Sequence, residues 1–246
     1  MILTNSEATT AELTRAFPGS TNRIRTTPFG TPTWVLDRQV AGPPPPVGAP
    51  FLFIGALEPR KNLLNILKAV EEVHRQSTRA EARPPGPCLH VVGAPGWRNE
   101  VIMKKLRRME QEGTVVFEGH QNRDVLWQRL TAARALLLPS LHEGFGFPIL
   151  EAMAAGTPVI TSDRGAMREV AGDAALLVNP EDSGAIARAM LRLEAEPMLA
   201  AGLSERGQVR AQQFRWSRTA AQTLDIYRMI LDHQASGITA GKTLSV

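Results

Sequence analysis

A chain of 246 residues is long enough for one substantial hydrophobic core, or for one domain with part of another. This length excludes a larger arrangement of domains. The apolar fraction of 43 % and the charged fraction of 21 % exclude a disordered or fibrous protein and are typical of a globular one. The net charge of +4 is too small to indicate a partner, and a single cysteine, Cys88, excludes an internal disulfide and a cysteine-rich zinc site.

The first segment, residues 1–34, contains a predicted short strand, a helix and an extended piece that ends near Thr27. This is too little chain to bury a core of its own. Gly42 then precedes four consecutive prolines, a stretch that is stiff, extended and poor in backbone hydrogen-bond donors. We therefore predict a separate segment at 1–42 and an interdomain linker at 43–48.

From Ala49 onward, short apolar stretches alternate with amphipathic helical patterns. The predicted strands are 51–55, 89–93, 115–118, 135–139, 158–162 and 175–178. The predicted helices are 62–76, 100–112, 124–133, 149–155, 183–196, 198–213 and 217–233, with a short turn near 167–170. This alternation favours right-handed crossovers and a parallel sheet that is covered on both faces. We predict an α/β fold, a Rossmann-like doubly wound parallel sheet of about six strands at 49–233, followed by a polar tail at 234–246.

The most informative stretch follows the fourth of these strands and reads P-S-L-H-E-G-F-G-F-P-I-L-E-A-M, from Pro139 to Met153. It passes through two glycines and enters a helix with Pro148 predicted at the first position, where a missing N–H is tolerated. The amino end of such a helix suits a phosphate, and glycines let the backbone approach it closely. A carboxylate does not bind a diphosphate directly, because both are negatively charged, so Glu143 and Glu151 are predicted to accept hydrogen bonds from hydroxyl groups. Alternatively, this stretch is a plain surface turn, in which the two acids only stabilise the amino end of the helix.

Two glutamates separated by seven residues within E-G-F-G-F-P-I-L-E-A-M are similar to the signature of glycosyltransferase family 4 and its GT-B relatives. The resemblance implies the C-terminal, nucleotide-sugar-binding half of a GT-B fold. It implies that Glu143 binds hydroxyls of the transferred sugar and that Glu151 binds the nucleotide ribose. The sugar and distal phosphate would meet the backbone of the residues between them: Gly144, Phe145, Gly146, Phe147 and Leu150.

A basic loop follows the first strand of the same domain and reads G-A-L-E-P-R-K-N, from Gly55 to Asn62. Cations at a strand end can stabilise the charge that grows on a departing diphosphate. The loop resembles the basic loop of the same family, with Lys61 as the nearest match and Arg60 beside it, and the resemblance implies that Gly55 at its start is a donor-binding residue. Many relatives carry an arginine directly after the glycine, where this chain has Ala56, so Arg60 is expected to supply that charge.

The resemblance covers nearly the whole chain but only about the C-terminal half of the family. Residues 4–7 and 23–30 look like the last elements of the family's N-terminal domain, and residues 214–217 look like the start of its last helix. The implied function is retaining transfer of a hexosyl group from a nucleotide-diphosphate sugar to a glycan or lipid-linked acceptor. That sugar nucleotide is a substrate; no other cofactor, no obligatory metal and no nucleic acid are expected.

Other interpretations share part of this evidence. A non-catalytic nucleotide-sugar-binding or interaction module would need a separate N-terminal half, or would be a degenerate or excised fragment. Whether the chain is an enzyme or a module, the apolar residues of the first segment predict a homo-oligomer or a partner. An epimerase or phosphorylase would use the same donor site. A nicotinamide enzyme lacks its G-x-G-x-x-G turn, a hydrolase lacks its G-x-S-x-G elbow, and a Walker loop is absent. The five histidines show no metal-ligand spacing.

The lone cysteine is typical of a reducing compartment. No apolar stretch reaches the roughly 18 residues of a membrane span, and the first residues lack the order of a signal peptide. We therefore predict a cytoplasmic protein with at most peripheral membrane contact.

Overall fold

The computed structural model describes residues 1–39, 45–46, 48–79 and 88–240. In the last two ranges, side chains are described only for residues 48–76 and 88–232. Residues 43, 44 and 47 of the linker predicted at 43–48 lie outside these ranges, as does the end of the predicted tail, 241–246. The chain forms two compact units: one combines Met1–Gly30 with the segment that begins at Phe214, and the other is Thr31–Gln213. The roles that the sequence predicts for the first segment, the linker and the Rossmann-like domain stay predictions.

The described residues form the following elements. The strands are β1 (Ile2–Thr4), β2 (Ile24–Thr26), β3 (Phe51–Ile54), β4 (Leu89–Val92), β5 (Val115–Gly119), β6 (Leu136–Leu138), β7 (Val159–Ser162) and β8 (Leu176–Val178). The helices are α1 (Glu7–Ala16), α2 (Thr33–Leu36), α3 (Leu63–Arg79), α4 (Glu100–Gln111), α5 (Arg123–Ala132), α6 (Phe147–Ala154), α7 (Gly165–Ala171), α8 (Ser183–Ala195), α9 (Pro197–Gln213) and α10 (Trp216–Ala240). Two short 3-10 turns span Pro18–Arg23 and Pro59–Lys61.

The smaller unit is built from β1, α1, β2 and α10. Strands β1 and β2 pair in parallel, and Ser6 caps α1 by accepting a hydrogen bond from the backbone N–H of Thr9 at 3.1 Å. At the start of α10, Trp216 stacks on Phe29 with ring centroids 5.7 Å apart. The last helix therefore packs against the first thirty residues, and Trp216 is a packing residue.

The larger unit contains one parallel six-stranded sheet in the order β5-β4-β3-β6-β7-β8. This confirms the predicted doubly wound α/β fold. From β3 the chain moves to β4 and β5 in one direction, and from β6 it moves to β7 and β8 in the other. Because such crossovers are right-handed, the two directions place their helices on opposite faces of the sheet. Helix α3 packs with α4 and α8, whereas α6 packs with α5, α7 and α9.

Alternation along the strands fills both faces of this sheet. Phe51 and Phe53 join the core cluster beneath α3, α4 and α8, and the intervening Leu52 is equally buried on the other side. The three leucines of β6, Leu136–Leu138, have no accessible surface. A strand buried on both faces requires such an uninterrupted apolar run.

Most element boundaries agree with the predictions within two residues, and the larger differences have local causes. Helix α6 begins at Phe147, so Pro148 occupies its second position rather than its first. The predicted turn near 167–170 is a helix, α7, with four buried residues. Helix α10 continues to Ala240 instead of ending at 233, and no proline interrupts it. No described helix combines the length and apolar character that a membrane span requires.

Candidate functional site

The site lies where the winding of the sheet reverses. Strands β3 and β6 are neighbours, and the crossovers that leave them run in opposite directions. The loops at their carboxyl ends therefore diverge and leave a crevice, which is where open α/β sheets bind ligands. The two loops at this point are 55–62 and 139–146, the two segments singled out from the sequence.

Backbone and amide hydrogen bonds join these loops. The backbone N–H of Leu141 donates to the carbonyl of Arg60 at 2.8 Å. The buried side-chain amide of Asn62 donates to the carbonyls of Pro139 at 2.8 Å and Pro180 at 2.6 Å. Asn62 adopts a left-handed conformation with φ of 62°, which asparagine tolerates better than most residues. Sequence reasoning missed Asn62, and its position directly before α3 was the available signal.

Three predicted site residues meet in the crevice. The ammonium of Lys61 contacts Oε1 of Glu143, and the guanidinium of Arg60 donates to Oε2 of the same carboxylate at 2.9 Å. The hydroxyl of Ser140 also donates to Oε1 at 3.2 Å. The side chains of Lys61 and Glu143 are 10 % and 9 % exposed, so this pair is shielded from water. The structure thus brings together the residues predicted to serve catalysis, while their roles stay predictions.

A second carboxylate, which sequence reasoning missed, orients the arginine. Glu58 accepts hydrogen bonds from Arg60 at 3.1 Å and from the indole of Trp97 at 2.5 Å. Burial disfavours the charge of Arg60, but Glu143 and Glu58 outweigh that effect and raise the pKa of the guanidinium. Trp97 is 54 % exposed and lies beneath the guanidinium of Arg98. Glu58 therefore links the cationic loop to the loop that follows β4.

The amino end of α6 faces the same crevice through a glycine. The N-cap is Gly146, with φ of 100°, and a glycine has no side chain to occupy the end of the helix. Phe145 and Leu150 are buried, and Phe145 packs edge-on against Phe147 at 5.3 Å. Their side chains shape the turn, so contacts to a ligand from this segment would come from the backbone, as the sequence predicts.

The second glutamate lies one turn further along α6. The side chain of Glu151 is partly buried, and its Oε1 accepts a hydrogen bond from the indole N–H of Trp34 at 3.3 Å. Burial raises the pKa of Glu151, and the hydrogen bond from Trp34 and the charge of Arg123 offset this only in part. A carboxylate kept under such conditions carries a cost to the fold, which favours a functional reason for its presence.

The raised pKa of Glu151 implies that the thermal stability of the fold depends on pH through this group. The folded chain binds the Glu151 proton more tightly than the unfolded chain, so this group stabilises the fold at low pH and loses that contribution as pH rises through the folded pKa. At pH 7 we expect Glu151→Gln to melt at the same temperature as the parent or higher, and we expect that difference to shrink at pH 4. Thermal denaturation of both chains at the two pH values measures this. A Glu151→Gln chain that melts several degrees lower at pH 7 would show that the charge stabilises the fold.

One histidine belongs to a cluster of polar side chains on β4, β5 and α5. Nδ1 of His90 contacts Oε1 of Glu118, and Nε of Arg129 lies 2.7 Å and 2.9 Å from the two oxygens of the same carboxylate. Although burial opposes it, these partners lower the pKa of Glu118. Within the described part of the chain, no three or more His, Cys, Asp or Glu side chains are grouped closely enough to hold a metal ion.

Comparison with known proteins places this crevice in a wider context. The family model for glycosyl transferases group 1 matches residues 46–210, which include both loops of the site. The chain is 32 % identical over 237 residues to the O-antigen chain mannosyltransferase B of Escherichia coli, covering 94 % of this chain and 61 % of that protein.

Solved structures show the same architecture. Sucrose-phosphate synthase from Thermosynechococcus elongatus aligns with a TM-score of 0.74 and 26 % identity, over 94 % of this chain and 58 % of that one. The Anabaena protein HepE, solved in complex with UDP, aligns with a TM-score of 0.74 over 93 % of this chain and 64 % of that one. Its identity of 18 % supports the shared fold alone. The Rossmann-like half of a GT-B fold is confirmed, and the chain spans about three-fifths of the length of these proteins.

Proposed function

The chain belongs to the glycosyl transferases group 1 family, and from that premise we propose that it is the donor-binding part of a retaining glycosyltransferase. It binds a nucleotide-diphosphate sugar and supports transfer of the hexosyl group to a glycan or lipid-linked acceptor. The observation that carries this proposal is the contact of Lys61 and Arg60 with Glu143 at the switch point of the sheet. Two cations, one acid and a helix amino end match the charges and hydroxyls of such a donor.

Each group has a distinct role in this proposal. Lys61 and Arg60 neutralise the negative charge that grows on the diphosphate as its bond to the sugar breaks. The backbone at the start of α6 receives the distal phosphate. Glu143 accepts hydrogen bonds from sugar hydroxyls, and Glu151 accepts them from the ribose. No described residue is proposed as a general base, and the proposed step needs no obligatory metal ion.

Relatives support the class of reaction. The Escherichia coli relative is named as a mannosyltransferase, which is a hexosyl transferase, and HepE was solved with UDP. These names describe those proteins. For this chain, transfer of a hexosyl group from a nucleotide sugar is the proposed activity, because the same fold here carries a cationic loop facing a carboxylate.

Replacing Glu143 with glutamine tests the proposed division of labour. A diphosphate and Glu143 compete for the same two cations, so removing the carboxylate charge is expected to strengthen binding of UDP, GDP or ADP about tenfold, or roughly 1.4 kcal/mol. The sugar hydroxyls lose a charged acceptor at the same time. The affinity advantage of a nucleotide sugar over its parent diphosphate should therefore fall about tenfold. Isothermal titration calorimetry of the 246-residue chain measures both quantities.

The matched control is Glu205→Gln, which changes the net charge equally at an exposed position on α9. It should leave both affinities unchanged. If Glu143→Gln leaves diphosphate affinity and sugar preference at the parent values, Glu143 does not bind where we propose.

A second candidate is a binding module without turnover of its own. It is favoured by one observation: the chain spans 61 % of the length of the mannosyltransferase relative. A donor-binding domain by itself has little means of orienting an acceptor or excluding water. In this second candidate, a separate N-terminal half or a second copy of the chain would form the acceptor side of the cleft. Sustained transfer by the isolated chain, with the anomeric configuration of the product read by NMR, would exclude this module.

A further inference from the structure

The carboxylate of Glu151 receives its hydrogen bond from outside the predicted motif. The donor is Trp34 in the short helix α2, which packs against α6. Val35, the next residue, is 1 % exposed and anchors this helix in the unit. An indole N–H donates but never accepts, so this contact is made only when the carboxylate turns an oxygen toward Trp34.

Trp34 itself lies against a cation, Arg38, which also contacts a second indole. The guanidinium of Arg38 lies 5.7 Å from the ring centroid of Trp34 and 5.7 Å from that of Trp127. Arg38 also forms an ion pair with Asp124 at 2.5 Å. Trp127 and Asp124 both belong to α5, so Arg38 links the indole of Trp34 to that helix.

One carboxylate oxygen remains for a ligand. Trp34 donates to Oε1 of Glu151, and no residue that the structure describes donates a hydrogen bond to Oε2. A carboxylate has about four acceptor sites in all. A ribose offers two adjacent hydroxyl donors, which one carboxylate can receive when its plane is fixed. Holding one oxygen in place prepares the other for the sugar ring of the nucleotide.

We propose that Trp34 is a positioning residue for the nucleotide ribose: its indole N–H, steadied by Arg38 and Trp127, orients the carboxylate of Glu151 toward the two ribose hydroxyls. This inference rests on the proposed function, since it takes Glu151 as the acceptor of the ribose. It adds a determinant that lies at residue 34, before the region 46–210 that the family model matches.

The test compares nucleotides with and without the ribose hydroxyls. Trp34→Phe keeps an aromatic ring and removes the N–H. For the tightest binder among UDP, GDP and ADP, calorimetry of the full chain measures its affinity and that of its 2′,3′-dideoxy counterpart. We expect the preference of the parent for the ribonucleotide to fall about five- to tenfold in Trp34→Phe. Binding of inorganic pyrophosphate, which has no ribose, should be unchanged.

Two controls separate positioning from a general structural effect. Trp127→Phe keeps a ring for Arg38 and does not contact Glu151, so it should retain most of the ribose preference. In a Glu151→Ala background, Trp34→Phe should have no further effect on that preference, because the carboxylate it orients is gone. A ribose preference that survives in Trp34→Phe, or an equal loss in both backgrounds, overturns the inference.

The outcome also distinguishes this inference from the proposed function. If the parent binds no nucleoside diphosphate, the donor site itself is wrong and the inference falls with it. If the parent binds diphosphates with a clear ribose preference and Trp34→Phe leaves that preference intact, the donor site stands and the role of Trp34 is refuted.

Discussion

Lys61→Met is expected to weaken binding of nucleoside diphosphates about 100-fold. The side chain of Lys61 is 10 % exposed at the switch point of the sheet, so little water screens its attraction for a phosphate. Losing one partner of a shielded, hydrogen-bonded charge pair weakens binding by ~2–5 kcal/mol, and 100-fold corresponds to ~2.7 kcal/mol. Calorimetric titration of the variant with UDP, GDP and ADP measures the change.

The same substitution affects the fold, and a second variant separates the two effects. Without Lys61, the shielded carboxylate of Glu143 keeps Arg60 and Ser140 as partners. We expect a stability loss of about 2 kcal/mol, less than the ~3–5 kcal/mol of a buried charge left wholly unpaired. In Lys61→Met/Glu143→Gln, the thermal midpoint should recover while diphosphate binding stays far weaker than in Glu143→Gln alone.

Lys68→Met provides the control for charge. Lys68 is an exposed lysine on α3, so this variant has the same net charge as Lys61→Met without altering the crevice. It should bind diphosphates like the parent. Equal weakening by both variants would mean that overall charge, rather than a site at Lys61, attracts the ligand.

Gly93→Ala is expected to destabilise the chain by about 4 kcal/mol, which lowers the melting temperature of a chain of this size by roughly 10 °C. Gly93 follows β4 with φ of 154°, a conformation that side chains rarely adopt. An added Cβ would lie 1.9 Å from the carbonyl oxygen of Gly55 and 2.7 Å from its carbon. Because these contacts are with backbone, no side-chain rotation relieves them, and β3 and β4 must separate.

The matched control is Gly113→Ala. Gly113 also has a positive φ, 73°, but nothing lies within 4 Å of an added Cβ there, so the loss should be about 1 kcal/mol. Thermal and urea denaturation of the two variants isolate the collision from the cost of the backbone conformation. If Gly93→Ala melts within about 2 °C of Gly113→Ala, the backbones at the ends of β3 and β4 are not as close as described.

Gly93 also connects stability with the site. The backbone N–H of Gly55 donates to the carbonyl of Val92 at 3.0 Å, and the loop that carries Lys61 begins at Gly55. Separation of β3 and β4 would therefore displace the cationic loop as well. We expect Gly93→Ala to lose diphosphate affinity even at temperatures where it remains folded.

Local sequence patterns predicted the elements of the larger unit. Apolar runs of three to five residues and helical periodicity depend on neighbours in the chain, so the six strands and six of the eight helices that the structure describes in this unit were placed from sequence, with α7 expected only as a turn. The motif that begins at Glu143 and the basic loop at Arg60 and Lys61 are equally local. Short elements were missed: α2 has four residues, too few to show a period.

Only the tertiary structure decided which residues meet. Lys61 and Glu143 are 82 residues apart, and they touch because β3 and β6 are neighbours in the sheet. Trp34 and Glu151 are 117 residues apart, and they meet because α2 packs on α6. Strand order and helix packing depend on how whole elements bury their apolar faces against one another. Local patterns do not determine strand order or helix packing, so the sequence could indicate the candidate residues of the site, whereas the partners of each residue depend on the fold.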